Sequence, residues 1–411
     1  MKLSNEQYTA KVFDSYEKRF AKARIDRPLR NPADQEDREA ILSDARKMLE
    51  LDRIPMPKIT VLQKKDEHRD GVIVRIMQFR SWEHCYGEAS LLLPDGDLQK
   101  RSAVVICNGH SPQGRLGEAY QRMAFRLAAF GFVVLMSDNL GQGSRKAFGH
   151  WDAEAPLCAG ITLQGMIVAE TNAWIEWLAE QPFVDSSRIG ACGNSGGGTL
   201  TLFLAATNTR LAAIASCGYP SEFSYVHQKE KKHCCCNLLK GCAYRAEMWE
   251  IYGMFAPKPL MLNSGKYDPL FPADLVKRTV RKVHGVYAQK GAADAFTPSL
   301  TETKHPWEMA DIDAIASFFC RHFECEDIQN AGDSIALLED GCRFVYPSDA
   351  ISTDLLTGQL LGVEIDESRK LADAYPPVVN GIPVDAFRLE NSLFAFDPMQ
   401  ILAQMEFALT E

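Results

Sequence analysis

The sequence lacks a run of 18 apolar residues, and its first ten residues are mostly polar. The first absence argues against a membrane-spanning helix and the second against a signal peptide, so we expect a cytoplasmic protein without a membrane partner. An excess of basic residues is also missing, because 45 lysines and arginines stand against 54 aspartates and glutamates, for a formal net charge of −9. Nucleic-acid surfaces need clustered positive charge, so we expect no nucleic-acid partner.

No C-x-x-C pair occurs, although the chain contains 12 cysteines. Without an export signal, we expect these cysteines to be reduced thiols rather than a disulfide framework. The phosphate-binding patterns G-x-G-x-x-G and G-x-x-x-x-G-K are absent as well, which argues against a nucleotide site. We therefore expect no cofactor.

What the sequence does contain is a strand, a tight turn and a helix in immediate succession over residues 189–200. The turn is a G-x-S-x-G pentapeptide with Ser195 at its apex, where a nucleophile takes a strained backbone conformation and bulky neighbours at Gly193 and Gly197 would collide. The amide of Gly196 begins the helix and could stabilise an oxyanion. Such pentapeptides also occur in turns without chemistry, but the apolar strand and helix on either side favour a catalytic turn.

Short, continuous apolar runs alternate with helical patterns from residue 103 onward, as a buried parallel sheet requires. We predict an α/β fold with a mostly parallel central sheet flanked by helices. Its strands are expected at residues 103–107, 132–137, 188–192, 212–217, 259–263 and 295–300. Three alternating stretches at residues 58–63, 72–80 and 87–93 predict antiparallel strands at one edge.

The chain divides into three predicted segments. Residues 1–53 are expected to form an N-terminal helical segment, residues 54–324 the catalytic α/β domain, and residues 325–411 an accessory C-terminal segment with a closing helix near 398–409. The accessory segment is expected to cover the main fold or to build a homo-oligomer.

A catalytic serine needs a base, and the base needs a third group that orients it. Asp268 lies in a turn-rich loop after the predicted strand 259–263, and His305 precedes the predicted helix 307–322. The order Ser, Asp, His is that of the α/β-hydrolases. His284 and His322 are alternative bases.

A second oxyanion donor is expected in the loop after the first central strand. Gly109 would let the backbone approach closely there, and the N–H of His110 is the candidate donor beside that of Gly196. The His110 side chain could instead make a simple loop contact.

Two further clusters leave alternatives open. The first consists of His227, His233, Cys234, Cys235, Cys236 and Cys242. These side chains could bind zinc, but consecutive cysteines cannot all turn toward one ion, so we favour packed thiols beside a pocket and predict no metal. The second is residues 144–160, with Phe148, His150 and Trp151, which could line the acyl or alcohol pocket or simply pack.

Several motifs resemble the bacterial acetyl xylan esterase and dienelactone-hydrolase-like branch of the α/β-hydrolases. They lie at residues 108–110, 120–121, 131–135, 138–145, 184–190, 193–197, 233–237, 256–260 and 268–272. The resemblance covers roughly residues 40–323 and is more specific as to fold than as to substrate. It implies that Ser195 is the nucleophile, Asp268 the acid and His305 the base. Family members often carry glycine directly before the histidine, whereas Lys304 precedes it here and Pro306 follows.

We therefore expect a serine esterase that cleaves a small-molecule or carbohydrate ester, in the manner of an acetyl esterase, through an acyl-enzyme intermediate. A peptidase or amidase on the same fold is the second interpretation, because the triad does not choose between ester and amide. A non-catalytic binding protein that retains the scaffold is the third.

Overall fold

The computed structural model describes residues 3–69, 71–96, 100–227, 234–305, 307–325, 337–339 and 341–411. Within these residues, nine strands form one sheet: β1 Thr60–Arg69, β2 Val72–Arg80, β3 Tyr86–Pro94, β4 Arg101–Cys107, β5 Val133–Ser137, β6 Val184–Asn194, β7 Ala213–Cys217, β8 Leu260–Gly265 and β9 Phe296–Thr301. Their order is β1-β2-β3-β5-β4-β6-β7-β8-β9. The pairs β1–β2, β2–β3 and β3–β5 are antiparallel and the others are parallel. The predicted α/β fold with a mostly parallel sheet is confirmed.

Helices cover both faces of this sheet. They are α1 Asn5–Asp26, α2 Gln35–Leu49, α3 Glu118–Ala129, α4 Ala155–Cys158, α5 Leu163–Ala179, α6 Gly196–Thr207, α7 Phe223–Val226, α8 Met248–Gly253, α9 Ala273–Gln289, α10 Met309–Phe323, α11 Thr353–Leu361, α12 Leu371–Ala374 and α13 Pro398–Ala408. Buried side chains form two clusters, one beneath α3 and α10 and a larger one beneath α1, α2, α5, α6, α8 and α9. Strands with helices on both faces need apolar residues on both faces, which is why β4, β5 and β7 are continuous apolar runs.

The C-terminal segment packs across the larger of the two clusters. It contains α11, α12, a short hairpin of β10 Val378–Val379 and β11 Ile382–Pro383, and the closing helix α13. The Tyr16 hydroxyl of α1 donates to Glu406 of α13 at 2.6 Å, and the Gly241 amide donates to the Phe407 carbonyl at 3.2 Å. Because Leu356 and Leu402 join the same core as the N-terminal helices, the division into three segments stays a prediction.

Two findings concern the composition. None of the twelve cysteines, all of which lie in the described residues, forms a disulfide. Among the described residues, none of the helices is both long enough and apolar enough to cross a membrane.

Candidate active site

Ser195 lies between the end of β6 and the start of α6, with φ 58° and ψ −116°. A residue other than glycine in this region is strained, and such strain persists only where the surroundings hold it. The Ser195 amide donates to the Cys217 carbonyl at the end of β7, and its carbonyl accepts from the Thr199 amide, both at 3.0 Å. Bonds to a neighbouring strand and to the first turn of the helix thus hold the strained turn.

Two glycines make this turn sterically feasible. A Cβ atom at Gly193 would lie 2.2 Å from the Gly197 carbonyl oxygen, and one at Gly197 would lie 1.9 Å from the carbonyl oxygen of Cys107. Strand β6, helix α6 and strand β4 therefore approach one another more closely than any side chain would permit. The collisions expected from the G-x-S-x-G pattern are confirmed.

Asp268 and His305 form a hydrogen-bonded pair in the loops after β8 and β9. His305 Nδ1 lies 2.9 Å from Asp268 Oδ2, and Asp268 Oδ1 accepts from the amides of Leu270 at 2.7 Å and Phe271 at 3.1 Å. The Asp268 side chain is fully buried, whereas that of His305 is 29% exposed. The carboxylate is therefore held by three bonds, and it orients an imidazole that solvent can reach.

Ser195, Asp268 and His305 follow β6, β8 and β9, so all three lie at the carboxyl edge of the parallel sheet. Among the described residues, no hydrogen bond joins the Ser195 hydroxyl to the His305 imidazole. The alternative bases contact other groups, since His284 packs against Phe296 and His322 against Phe318. In apo structures, catalytic hydrogen bonds are often long and tighten only when substrate binds.

The two expected oxyanion donors lie beside the serine. The Gly109 amide donates to the Tyr120 hydroxyl at 2.7 Å, whereas the amides of His110 and Gly196 donate to no acceptor in the described parts of the chain. A Cβ atom on Gly109 would lie 3.2 Å from Ser195 Cβ, and one on Gly196 would lie 3.2 Å from His110 Cε1. Two amides without an acceptor in the described residues thus lie at the Ser195 turn.

Side-chain amides and buried ions hold the loop that carries His110. Asn108 Nδ2 donates to the Ser137 carbonyl at 2.7 Å, and Asn139 Nδ2 donates to the Asn108 carbonyl at 2.9 Å. The buried Asp138 carboxylate accepts from the backbone amide of Arg115 at 2.7 Å and forms an ion pair with its guanidinium. The 138–145 motif therefore has a bracing role next to the site.

Four side chains converge behind the His110 loop, and we call them the Cys/His cluster: His110, His150, Cys234 and Cys236. Their nitrogen and sulfur atoms all lie within 4.8 Å of one another. His110 Nε2 is 3.2 Å from His150 Nε2 and 2.8 Å from Cys234 Sγ, and the two sulfurs are 2.8 Å apart. Burial raises the pKa of the Cys234 thiol to about 12, and the Cys236 sulfur adds to this rise.

The cluster differs from the set of residues considered from sequence. Cys235 turns away and donates to the Trp151 carbonyl at 3.3 Å, and His227 packs against the Phe20 ring. His233 lies outside the described residues, and Cys242 is buried elsewhere. The interpretation from sequence placed His150 in the 144–160 segment and did not join it to the cysteines. The available signal was its place after β5, at the same sheet edge as His110 after β4.

A cleft of about 320 Å³ lies beside the His110 loop, and Gln142, Lys146 and Trp151 contribute to its lining. The Trp151 ring centroid is 5.1 Å from that of His110, whereas Phe148 packs against Tyr346 at 5.7 Å. Part of the 144–160 segment thus lines a cleft, and part of it packs against another side chain.

Comparisons with known proteins bear on the family and the fold of the chain. The model of the Dienelactone hydrolase family matches residues 88–302, just over half of the chain. The candidate hydrolase YtaP of Bacillus subtilis (strain 168) is 26% identical over 173 residues, which are 41% of this chain and 58% of that protein. The chain therefore spans little more than half the length of this curated relative.

Solved structures share the fold at low identity. Methylesterase BT1017 superposes with a TM-score of 0.65 at 21% identity, covering 84% of this chain and 78% of that one. A candidate acetyl xylan esterase from Bacteroides fragilis NCTC 9343 gives 0.56 at 16% identity, with 68% and 80% covered. A glucuronoyl esterase from Solibacter usitatus gives 0.52 at 12% identity, with 70% and 92% covered. These likenesses confirm the α/β-hydrolase fold.

Proposed function

Since the chain belongs to the dienelactone hydrolase family, we propose that it is a serine esterase that cleaves a carboxylic ester of a small molecule or a carbohydrate, with an acetyl ester as the first substrate to test. Its nucleophile is Ser195, its base His305 and its orienting acid Asp268. Three of the structural neighbours are named as esterases, which supports this chemistry. Each of those names describes the neighbour and not this chain.

Acylation uses the groups at the sheet edge. Ser195 Oγ attacks the ester carbonyl carbon while His305 Nε2 takes the hydroxyl proton, and Asp268 stabilises the imidazolium that forms. The carbonyl oxygen becomes an oxyanion that accepts from the amides of Gly196 and His110. When the C–O bond to the alcohol breaks, His305 returns the proton to the leaving oxygen.

Deacylation repeats the sequence with water. His305 takes a proton from a water molecule, the hydroxide attacks the acyl carbon, and the Ser195 oxygen leaves with the proton that His305 gives back. The products are the carboxylic acid and the free enzyme, so the cycle needs no external cofactor.

One observation carries this proposal: the 2.9 Å bond between His305 Nδ1 and Asp268 Oδ2, at the edge of the sheet where Ser195 holds its strained φ of 58°. A buried carboxylate that bonds Nδ1 leaves Nε2 as the basic nitrogen. Strain at a sharp strand-to-helix turn is expected where a nucleophile must be presented.

Covalent labelling tests the proposal. A fluorophosphonate probe should label the wild-type chain, and Ser195→Ala should abolish both labelling and hydrolysis of an aryl acetate. Ser187→Ala, which alters an exposed serine on the same strand β6, should leave both unchanged. A folded wild-type chain that is neither labelled nor active would refute the proposal in favour of a binding protein.

A paired substrate comparison separates esterase from peptidase or amidase. We expect faster turnover of an acetyl ester of 4-nitrophenol than of an aminoacyl 4-nitroanilide, because the ester has the better leaving group. Faster cleavage of the anilide by the wild type, lost in Ser195→Ala, would show that the second interpretation is correct.

A further inference from the structure

The Cys/His cluster brings together the donor atoms of three segments that are far apart in the chain. His110 comes from the loop after β4, His150 from the segment after β5, and Cys234 and Cys236 from the segment before α8. Cys234, Cys236 and His150 are each less than 5% exposed. Three of the four donors are therefore shielded from water, and His110 is partly buried.

The hydrogen-bond partner of His150 identifies which ring nitrogen carries the proton and which one points a lone pair at the other donors. His150 Nδ1 lies 2.7 Å from the Leu140 carbonyl oxygen, which can only accept. The ring proton of the neutral imidazole must therefore be on Nδ1, so Nε2 offers a lone pair to the cluster. A backbone carbonyl bonded to the far nitrogen is the arrangement that orients metal-binding histidines.

Most of the donor atoms of the cluster lie closer together than the ligand atoms of a tetrahedral zinc ion. Zinc bonds of about 2.0–2.1 Å to nitrogen and about 2.3 Å to sulfur place tetrahedral donors roughly 3.3 to 3.8 Å apart. The observed separations are 3.2 Å between the two nitrogens, 2.8 to 3.3 Å for three of the four nitrogen–sulfur pairs, and 2.8 Å between the sulfurs. The fourth nitrogen–sulfur pair, His150 Nε2 and Cys236 Sγ, lies within 4.8 Å. The sulfurs are too far apart for a disulfide, whose S–S bond is about 2.05 Å, and small side-chain rotations would open the tetrahedron around an ion.

We propose that His110, His150, Cys234 and Cys236 bind one zinc ion. Two thiolates and two neutral imidazoles match the donor preference of Zn²⁺, and the charges of two thiolates and Zn²⁺ cancel, which suits a buried site. Binding replaces the two thiol protons, which are released to solvent. Because the protein supplies all four ligands, no position is left for water and the ion is structural.

The position of the cluster gives this zinc a consequence for the active site. The His110 ring binds the ion, and the His110 amide lies beside Gly196 and Ser195. Zinc therefore fixes the loop that supplies one oxyanion donor; this consequence rests on the proposed function, whereas the metal site does not. Since loss of one oxyanion donor costs about 100-fold or more in kcat, zinc removal should lower kcat by about 100-fold.

Metal analysis of the purified full chain tests the site. After expression with added zinc and dialysis, elemental analysis should find one zinc per chain. Cys234→Ser and Cys236→Ser should lower this content to about 0.1 or less. Cys235→Ser is the matched control and should keep the zinc, because that sulfur contacts the Trp151 carbonyl instead.

Cobalt replacement provides a readout that does not depend on the variants folding. The wild-type chain refolded with Co²⁺ should show the intense visible bands of tetrahedral cobalt and a thiolate-to-cobalt charge-transfer band. A zinc-free and cobalt-silent wild-type chain that is folded would overturn the site, as would full zinc content in a Cys234→Ser, Cys236→Ser double variant.

The outcomes distinguish this inference from the proposed function. Zinc should remain in Ser195→Ala, which loses labelling. A chain that binds zinc but is not labelled would refute the esterase proposal alone, and a labelled, active chain without zinc would refute the metal site alone.

Discussion

Asp268→Asn is expected to lower kcat by about 10⁴ while leaving the fold intact. The amides of Leu270 and Phe271 both donate to Oδ1, so in the variant this position must remain the side-chain oxygen. The new NH₂ group then faces His305 Nδ1, which can meet it only as an acceptor. The ring proton moves to Nε2, the nitrogen that must accept the proton of Ser195.

This 10⁴-fold loss in kcat corresponds to about 5.4 kcal/mol of lost transition-state stabilisation. Folding should change by no more than about 1 kcal/mol, because both bonds from backbone amides are retained. Initial rates on an aryl acetate and urea unfolding measure the two effects. Asp274→Asn is the matched control, since Asp274 is an exposed carboxylate in the first turn of α9. A folded Asp268→Asn chain with activity within tenfold of the wild type would refute the assignment of Asp268.

Three substitutions test the fold. Gly197→Ala should prevent native folding, because its Cβ would lie 1.9 Å from the Cys107 carbonyl oxygen; a soluble variant with normal urea unfolding would contradict the geometry. Gly285→Ala, within α9 and with no atom within 4 Å of its Cβ, should stabilise by about 0.5–1 kcal/mol in the same assay, whereas a loss would show hidden crowding. Burial, followed by the Glu367 charge, raises the pKa of Asp354 to about 6. The folded chain therefore holds this proton more tightly than the unfolded chain, and the stability that the bound proton contributes is lost as pH rises through 6. Asp354→Asn should therefore raise Tm above pH 6 and leave it unchanged below about pH 4, and an equal shift at both would refute this origin.

The elements with a clear apolar period were predictable from sequence. Strand β2 was expected at residues 72–80 and spans Val72–Arg80, and α6 begins at Gly196 as expected. Strand β1 was expected at 58–63 but runs over Thr60–Arg69. Its second half is exposed and highly charged, so it carries no apolar alternation, and only its pairing with β2 makes it a strand.

The Cys/His cluster was not predictable from sequence. Its members come from three segments that lie at least 40 residues apart in the chain, and only the order of the strands brings these segments together. Crossovers place the loops after β4 and β5 side by side, which brings His150 to His110. The three consecutive cysteines were not expected to face one point together, and Cys235 indeed turns away. The sulfurs of Cys234 and Cys236, on either side of it, face the same point. The roles of Ser195, Asp268 and His305 remain a proposal.

The two outer strands of the sheet have a consequence for how the chain behaves at high concentration. Strand β1 presents Lys64, Lys65 and other exposed charges along one edge, and β9 contains Pro298, which has no amide hydrogen to donate, at the other. Charged side chains and proline oppose the addition of a further strand from another molecule. The protein should therefore resist aggregation through its sheet edges, and a homo-oligomer would have to form through other surfaces.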